Sequence, residues 1–241
     1  MKIDIWSDIA CPWCYIGLTR FERALTEFPH HDGVQVTVHS FQLDPSLPDS
    51  YEGTEAEYLA SRKGISVTQA ESMFGQVAQA AATEGLSLRF DTLAVANSRR
   101  AHRLLHAALK ADPSGATQRR LKDALFRAHF TSGESISDSE VLVRLATTAG
   151  MNAEDAAAAL EDPARDAEVA ADIARAVELG ISGVPFFVLD GRYGISGAQP
   201  REVFDRALTT VWDELHPRIE PLKVPGLEGF STGPACGPDG C

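Results

Sequence analysis

Two cysteines near the N-terminus, Cys11 and Cys14, are the residues of this chain best suited to covalent chemistry. They enclose a Pro-Trp pair in the segment SDIACPWCYIG, residues 7–17. A cysteine reacts as its thiolate, and an unperturbed thiol with a pKa of about 8.5 is only slightly ionised at neutral pH. A helix start stabilises an anion through its unpaired N–H groups and its dipole. The spacing predicts a redox pair in which Cys11 attacks and Cys14 closes the disulfide.

The flanking sequence predicts the helix start that this chemistry requires. Residues 2–6 alternate apolar and polar side chains, which is typical of a short strand, and apolar residues then recur at helical spacing from Trp13 until Pro29. Pro12 suits the first turn of a helix because its missing N–H would be unpaired there anyway. We therefore expect a lowered pKa for Cys11. A pKa of about 5 would correspond to about 5 kcal/mol in favour of the thiolate and would make the disulfide a stronger oxidant.

The rest of the chain predicts more strands at the two ends and helices between them. Residues 34–41 alternate as a second strand. We expect residues 185–189 and 192–195 to form a hairpin around Asp190-Gly191, and a helix to cover 200–215. An alanine-rich segment from about 51 to 179 predicts six or seven helices. Its helix-start signals are Thr54 with Glu57, Ser66 with Gln69, Ser137 with Glu140, Asn152 and Pro163.

This order predicts a mixed sheet assembled from both ends of the chain, with an all-helical domain inserted between them. Such an assembly brings residues 11–14 close to residue 184. The predicted domains are a discontinuous one of residues 1–48 and 178–216, a helical insertion of 49–177, and a Pro/Gly-rich tail of 217–241.

Composition excludes several classes of function. The formal net charge of −12 argues against binding to nucleic acid, whose phosphates attract basic proteins. No apolar run approaches the length that crosses a bilayer, so we expect no membrane partner. Acidic residues interrupt the N-terminal segment where an export signal would have its apolar run, and we expect a cytoplasmic protein. The oligomeric state is left open by the sequence.

Three segments, DIACPWCYIG, SGVPFF and ISGAQP, together resemble the thioredoxin-fold DsbA-like oxidoreductases and in particular their cytoplasmic FrnE-type branch. The resemblance covers nearly the whole chain and implies an α/β thioredoxin fold interrupted by a helical insertion. It implies that Cys11 is the nucleophile and Cys14 the resolving thiol, with Pro12 and Trp13 between them. It also implies a cis-proline loop at Val184-Pro185 facing them, although most X-Pro bonds, about nineteen in twenty, are trans.

The same resemblance implies the partners and the cofactor requirement. A redox-active disulfide takes the place of an organic cofactor, and the substrates are thiols or disulfides of proteins or small molecules, glutathione among them. If the cis-proline loop is present, the Val184 backbone is free to pair with an extended substrate.

A second pair of cysteines, Cys236 and Cys241, ends the chain in the segment ACGPDGC. The Pro-Asp-Gly sequence between them favours a turn, so the two thiols could close a small disulfide loop. FrnE-like proteins with a C-terminal CxxxxC pair look similar, which implies a second redox pair that relays electrons. Two alternatives stay open: a zinc or copper(I) site made of thiolates, and a pair without a role.

Histidines offer a weaker signal. His102 and His106 lie four residues apart on a predicted helix, but the residue after the first is Arg103 rather than the glutamate of a zinc protease, and a third metal ligand is lacking. We therefore do not favour a metal there. The segment NSRRAHRLLHAA resembles the helix that overlooks the active site in related isomerases and kappa-class glutathione transferases. This makes Asn97 and His102 candidate substrate contacts, and arginines 99, 100 and 103 are expected on a solvated face.

Two other functions compete with thiol-disulfide exchange by Cys11 and Cys14. The first is a glutathione-dependent isomerase or transferase of the hydroxychromene-carboxylate type. Those relatives usually have serine at the position of Cys11 and lack the second cysteine, so the presence of both thiols favours redox chemistry. The second is a metal-binding or chaperone-like module, which would not require the two thiols for catalysis.

Overall fold

A four-stranded mixed sheet lies at the centre of the fold. The structure is a computed structural model and describes residues 1–217. The strands are β1 (Lys2–Ser7), β2 (Gln35–Ser40), β3 (Phe186–Leu189) and β4 (Tyr193–Ser196). Their order is β2-β1-β3-β4; β1 is parallel to β2 and antiparallel to β3, and β3 and β4 form a hairpin. The predicted mixed sheet made from both ends of the chain is confirmed. Cys236 and Cys241 lie outside the described residues.

Helices make up most of the remaining described chain. Helix α1 (Pro12–Glu27) follows β1, a short 3-10 helix (His31–Gly33) precedes β2, and α9 (Arg201–Leu215) follows β4. Seven helices separate β2 from β3: α2 (Glu55–Lys63), α3 (Val67–Thr83), α4 (Arg99–Ala111), α5 (Ala116–Phe130), α6 (Ser139–Thr148), α7 (Ala153–Leu160) and α8 (Pro163–Glu178). This agrees with the predicted helical insertion. None of the helices in residues 1–217 is both long enough and apolar enough to cross a membrane.

Most of these helices begin where the capping signals predict. Thr54 and Ser66 each form a capping box, with reciprocal hydrogen bonds to the residue three positions on. The predicted start at Ser137 is wrong by one residue. Asp138 accepts the first free N–H groups of α6 at 2.8 and 3.1 Å, whereas the Ser137 hydroxyl donates to the Asp49 carbonyl oxygen.

The two faces of the sheet are covered by different helices. Phe187 of β3 packs against Phe21 of α1 and Phe204 of α9, with ring centroids 5.4 and 4.8 Å away. On the opposite face the Trp6 indole N–H donates to the Asp172 carbonyl oxygen of α8 at 3.0 Å. The larger of two buried apolar clusters in the described chain contains residues of both the sheet and the helical segment. The predicted domain boundaries stay a prediction.

Candidate active site

Cys11 is the N-cap residue of α1. Its backbone is extended, with φ −103° and ψ 111°, and Pro12 occupies the first helical position. The Cys11 carbonyl oxygen accepts the first helical hydrogen bonds from the Cys14 and Tyr15 N–H groups at 3.0 and 3.3 Å. Three residues separate β1 from this cap, so the end of the strand fixes the position of the thiol.

The two thiols differ in their access to solvent. Cys11 is 4% exposed, whereas Cys14 is completely buried, and both are free thiols. The Trp13 side chain between them is 41% exposed. Both thiols are therefore buried, and only Cys11 keeps a small exposed surface. The roles of nucleophile and resolving thiol stay a prediction.

A loop before β3 faces Cys11. The Val184-Pro185 peptide bond is cis, and the Cys11 Sγ lies 3.7 Å from the Val184 carbonyl oxygen, to which the thiol donates. The Gly197 N–H donates to the Pro185 carbonyl oxygen at 2.8 Å and holds the loop against the end of β4. The Val184 N–H has no hydrogen-bond acceptor among residues 1–217, and its pairing with a substrate stays a prediction.

Gly17 lets this loop approach α1. A Cβ added at Gly17 would lie 2.8 Å from the Pro185 Cγ and 3.2 Å from the Ala198 Cα. The first distance is shorter than real side-chain contacts, and the second involves backbone that cannot easily move. The glycine is therefore required for the close packing of the proline ring on the second turn of α1.

The electrostatic surroundings of Cys11 differ from the prediction. A hydrogen bond with Cys14, burial, and the charges of Cys14 and Asp8 raise the pKa of the Cys11 thiol, and the backbone N–H of Cys14 acts in the opposite direction. The predicted lowering of this pKa is wrong for the reduced pair. The helix start is present, but a second buried thiol shares the same space and burial disfavours the thiolate.

Asp8 is a buried carboxylate that braces the loop between β1 and α1. It accepts hydrogen bonds from the Leu43 N–H at 2.8 Å, from the Ala10 N–H at 3.3 Å and from His102 Nε2 at 3.2 Å. Burial raises the pKa of Asp8, but these donors, His102 above all, lower it overall. The carboxylate therefore joins the active-site loop to the segment after β2 and to α4. The sequence signal that could have indicated this role is the position of Asp8, three residues before Cys11.

The two predicted substrate contacts are buried. His102 is 0% exposed, and burial lowers its pKa, so the ring is neutral at pH 7. Asn97 is 8% exposed, and its Oδ1 accepts from Gln42 Nε2 at 3.0 Å and from the Arg99 N–H at 2.8 Å. Both side chains therefore hold α4 to neighbouring loops. Their contact with a substrate stays a prediction.

His102 and His106 bind different partners, although they lie one turn apart. His106 Nε2 lies 3.0 Å from an Asp172 oxygen of α8, while His102 binds Asp8. No group of three or more histidine, cysteine, aspartate or glutamate side chains within residues 1–217 is arranged to hold a metal ion.

The predicted solvated arginine face of α4 is instead an ion-pair contact with α8. Arg99 Nε and Arg103 Nε each donate to an Asp166 carboxylate oxygen at 2.8 Å. Their side chains are only 25% and 19% exposed. The pattern of charges on one helix did not indicate that a second helix with a carboxylate packs against it.

Lys122 of α5 is a further buried charge that the sequence analysis did not single out. Its side chain is 1% exposed, and its Nζ donates to the Ser7 carbonyl oxygen at 3.4 Å. The available signal was its position on the apolar face of α5, next to Leu121 and one turn before Leu125 and Phe126. A lysine on such a face is buried beneath the elements that the helix contacts.

The comparison with known proteins identifies this arrangement. The family described as DSBA-like thioredoxin domain matches residues 2–209. The chain belongs to this family. It is 44% identical to a probable DsbA oxidoreductase from Streptomyces coelicolor, with a TM-score of 0.81 and coverage of 100% of this chain and 98% of that one.

Two more distant structures share the fold. The cytosolic disulfide reductase DsbM from Pseudomonas aeruginosa, in a structure with GSH, is 21% identical over 90% of this chain and 100% of that one, with a TM-score of 0.62. A 2-hydroxychromene-2-carboxylate isomerase is 14% identical over 90% of this chain and 98% of that one, with a TM-score of 0.64. The predicted DsbA-like fold and family are confirmed.

Proposed function

We propose that this DsbA-like protein is a cytoplasmic thiol-disulfide oxidoreductase of the FrnE-type branch that works through Cys11 and Cys14. The observation that carries the proposal is the placement of Cys11 at the start of α1, 3.7 Å from the Val184 carbonyl oxygen and slightly more exposed than the completely buried Cys14. An isomerase that uses glutathione does not require a second thiol.

In the proposed reaction the Cys11 thiolate attacks one sulfur of a substrate disulfide. An S–S bond forms between Cys11 and the substrate, and the second substrate sulfur leaves as a thiolate that takes up a proton. Cys14 loses its proton and attacks the Cys11 sulfur, which forms the internal disulfide and releases the first substrate sulfur as a thiol. Two electrons pass from the protein dithiol to the substrate, and the reverse sequence oxidises a substrate dithiol.

We propose that the substrate lies extended along the loop at Val184. The free N–H of this residue supports the proposal, since it can donate to the substrate backbone next to the attacked disulfide. The exposed Trp13 offers an apolar surface on the other side of Cys11. Glutathione is a proposed small-molecule partner, in line with the DsbM structure that contains GSH. No organic cofactor is required by this chemistry.

The C-terminal pair, Cys236 and Cys241, is proposed as a second redox pair that exchanges electrons with the first. The support is its sequence alone, because the Pro-Asp-Gly segment between the two thiols favours a turn. A version of the protein with both residues changed to serine separates the two pairs experimentally.

The proposal is tested by reduction of insulin disulfides with dithiothreitol as the electron donor. We expect turnover by the wild type and by the Cys236→Ser/Cys241→Ser variant, and its loss in Cys11→Ser. Incubated with insulin in the absence of dithiothreitol, the Cys14→Ser variant should accumulate a mixed disulfide, visible as a mass increase by mass spectrometry, because the resolving step is missing. Full turnover by Cys11→Ser, or isomerisation of a hydroxychromene carboxylate that survives in Cys14→Ser, would overturn the proposal.

A further inference from the structure

A cavity lies between helices α1 and α5. Its volume is about 600 Å³, which falls within the range of small-molecule sites. Residues between 15 and 27 of α1, residues between 116 and 127 of α5, and Val38 of β2 form its wall. Neither Cys11 nor Cys14 lines it, and the Val184-Pro185 loop does not line it either. The cavity is therefore a second concave surface, separate from the one proposed for thiol chemistry.

Part of the cavity wall is apolar and aromatic. It is formed by four buried side chains, those of Tyr15, Leu18, Val38 and Phe126. The Tyr15 and Phe126 rings stack, with their centroids 4.8 Å apart and their planes inclined by 12°. Such a surface favours the flat, apolar body of an organic ligand. It cannot replace the water around a small inorganic ion.

The charged residues of the same wall are mostly cationic. Five lining residues are arginine or lysine, whereas three are glutamate or aspartate. The whole chain, in contrast, has a formal net charge of −12. An excess of positive charge in one cavity of an acidic protein favours an anionic ligand.

Arg119 has the hydrogen-bond donors that such a ligand needs. Its side chain is 31% exposed and forms no hydrogen bond with a residue of the described chain. Its one ion-pair contact joins Nε to a Glu22 carboxylate oxygen at 3.5 Å, longer than the roughly 2.7–2.9 Å of a charge-assisted hydrogen bond. Arg23 of the same wall, in contrast, donates to Glu84 at 2.7 and 2.8 Å.

Glu22 is a weak partner for Arg119. Burial raises the pKa of Glu22, the charge of Arg119 lowers it by less, and the charge of Asp123 adds to the rise. A carboxylate in a close ion pair would instead have a lowered pKa. The planar guanidinium group of Arg119 is therefore available to a second carboxylate, which it can bind through two parallel hydrogen bonds.

We propose that this cavity binds a small aromatic carboxylate. The ring of the ligand lies against the stacked Tyr15 and Phe126 side chains, and its carboxylate accepts hydrogen bonds from Arg119. Binding makes and breaks no covalent bond, and it does not require the thiols, since neither cysteine of the motif lines the cavity. The site therefore adds a ligand-binding function to the proposed redox function.

The inference is tested by titrating the ¹⁵N-labelled full chain with 2-naphthoate and with its uncharged analogue 2-naphthamide while following the backbone amide chemical shifts. We expect saturable shifts in α1 and α5, with a Kd for naphthoate on the order of 0.1–1 mM, as is usual for a ligand of this size. Naphthamide should bind about tenfold more weakly because it lacks the charge. In Arg119→Gln the Kd values of the two probes should agree within about twofold.

A second variant should change the affinity in the opposite direction. Glu22→Gln removes the negative charge beside Arg119 and should bind naphthoate about threefold more tightly. If Arg119→Gln does not fold, Arg119→Lys keeps the charge without the planar group and should weaken binding about threefold. The amide spectrum of each variant establishes whether it is folded.

Two control variants test the location of the site. Arg89 also has a single ion-pair contact, at 3.9 Å from Asp91, and does not line the cavity, so Arg89→Gln should keep the Kd within about twofold. The variant Cys11→Ser/Cys14→Ser should bind naphthoate as the wild type does, because the thiols lie outside the cavity wall.

The outcomes separate this inference from the proposed function. No saturable shift up to about 10 mM naphthoate, equal Kd values of the two probes in the wild type, or an unchanged Kd in folded Arg119→Gln would refute the site. Shifts confined to the Val184 loop and lost in Cys11→Ser/Cys14→Ser would also refute it, since they would assign binding to the thiol site. Absence of insulin reduction by the wild type would refute the proposed function and not the carboxylate site.

Discussion

Replacing His39 with glutamine removes a positive charge held between two aspartates, and we expect the stability of the protein to lose a distinct pH dependence. In the wild type His39 Nε2 lies 2.8 Å from an Asp4 carboxylate oxygen and Nδ1 lies 2.7 Å from an Asp172 oxygen. The ring also stacks on Trp6 at 4.5 Å. This residue therefore ties the sheet, through β1 and β2, to helix α8.

The size of the effect follows from the pKa of His39. Burial lowers this pKa, but the hydrogen bonds with Asp172 and Asp4 raise it to about 9 from an ordinary 6.5. A pKa that is higher in the folded state stabilises the protein fully below the unfolded value of 6.5. The stabilisation is lost as the pH rises through 9. At about 1.4 kcal/mol for each pH unit, the contribution is about 3 kcal/mol at pH 6, about 2 kcal/mol at pH 7.5 and below about 0.5 kcal/mol at pH 9.

Lys122 titrates in the same range with the opposite sign. Burial lowers its pKa to about 8 in the folded state, so its contribution to stability rises with pH between 8 and the ordinary lysine value near 10.5. The wild-type curve alone would combine both effects. The difference between the wild type and His39→Gln cancels the lysine contribution and isolates that of the histidine.

The assay is urea unfolding followed by circular dichroism at pH 6, 7.5, 9 and 10. We expect the difference in free energy of unfolding between the wild type and His39→Gln to fall by about 3 kcal/mol from the first pH to the last. Circular dichroism is preferable to fluorescence because His39 contacts Trp6. A difference that is constant to within about 0.5 kcal/mol would refute the reasoning, since it would mean that His39 is not charged between the two aspartates.

Two further substitutions test other contacts of the fold. Gly17→Ala should cost about 1–3 kcal/mol of unfolding free energy and slow insulin reduction, because the new Cβ would lie 2.8 Å from the Pro185 Cγ. Gly75→Ala is its control, since a Cβ added there would meet no atom within 4 Å. This variant should gain about 0.5–1 kcal/mol of unfolding free energy. Equal effects of the two substitutions in urea unfolding would contradict the packing argument. Asp166→Asn should lower the free energy of unfolding by about 1–2 kcal/mol at pH 7, because it weakens the hydrogen bonds with two arginines of α4. An unchanged urea midpoint would exclude this contribution.

Local signals were sufficient to predict the elements that carry the thiols. Three of these signals each concern a single element: the alternation in β1, the proline at position 12 and the apolar spacing of α1. Such signals can be recognised in a short stretch of sequence. The error at Ser137 has the same local origin. Serine and aspartate are both good caps, and the neighbouring Asp138 accepts two N–H groups while Ser137 bonds to a distant carbonyl.

Long-range contacts between charged residues were not predictable in this way. Asp8 binds a histidine 94 residues away, Lys122 binds a carbonyl 115 residues away, and His39 binds an aspartate 133 residues away. Each of these residue types is most common at a surface, and no element by itself indicates which distant residue its side chain binds. The raised pKa of Cys11 has a partly local cause, because the hydrogen bond with Cys14 acts together with burial against the favourable helix start that the local sequence predicted.

These contacts assign a chemical role to the helical segment that interrupts the sheet. The strands and α1 place the two thiols, but the polar side chains that hold the segment from Ser7 to Asp8 before them come from elsewhere: His102 from α4 and Lys122 from α5. A thiol equilibrium responds to charges within a few ångströms and scarcely to the sheet beneath them. Substitutions in α4 and α5 can therefore change the redox behaviour of the pair while the thioredoxin-like sheet stays as it is.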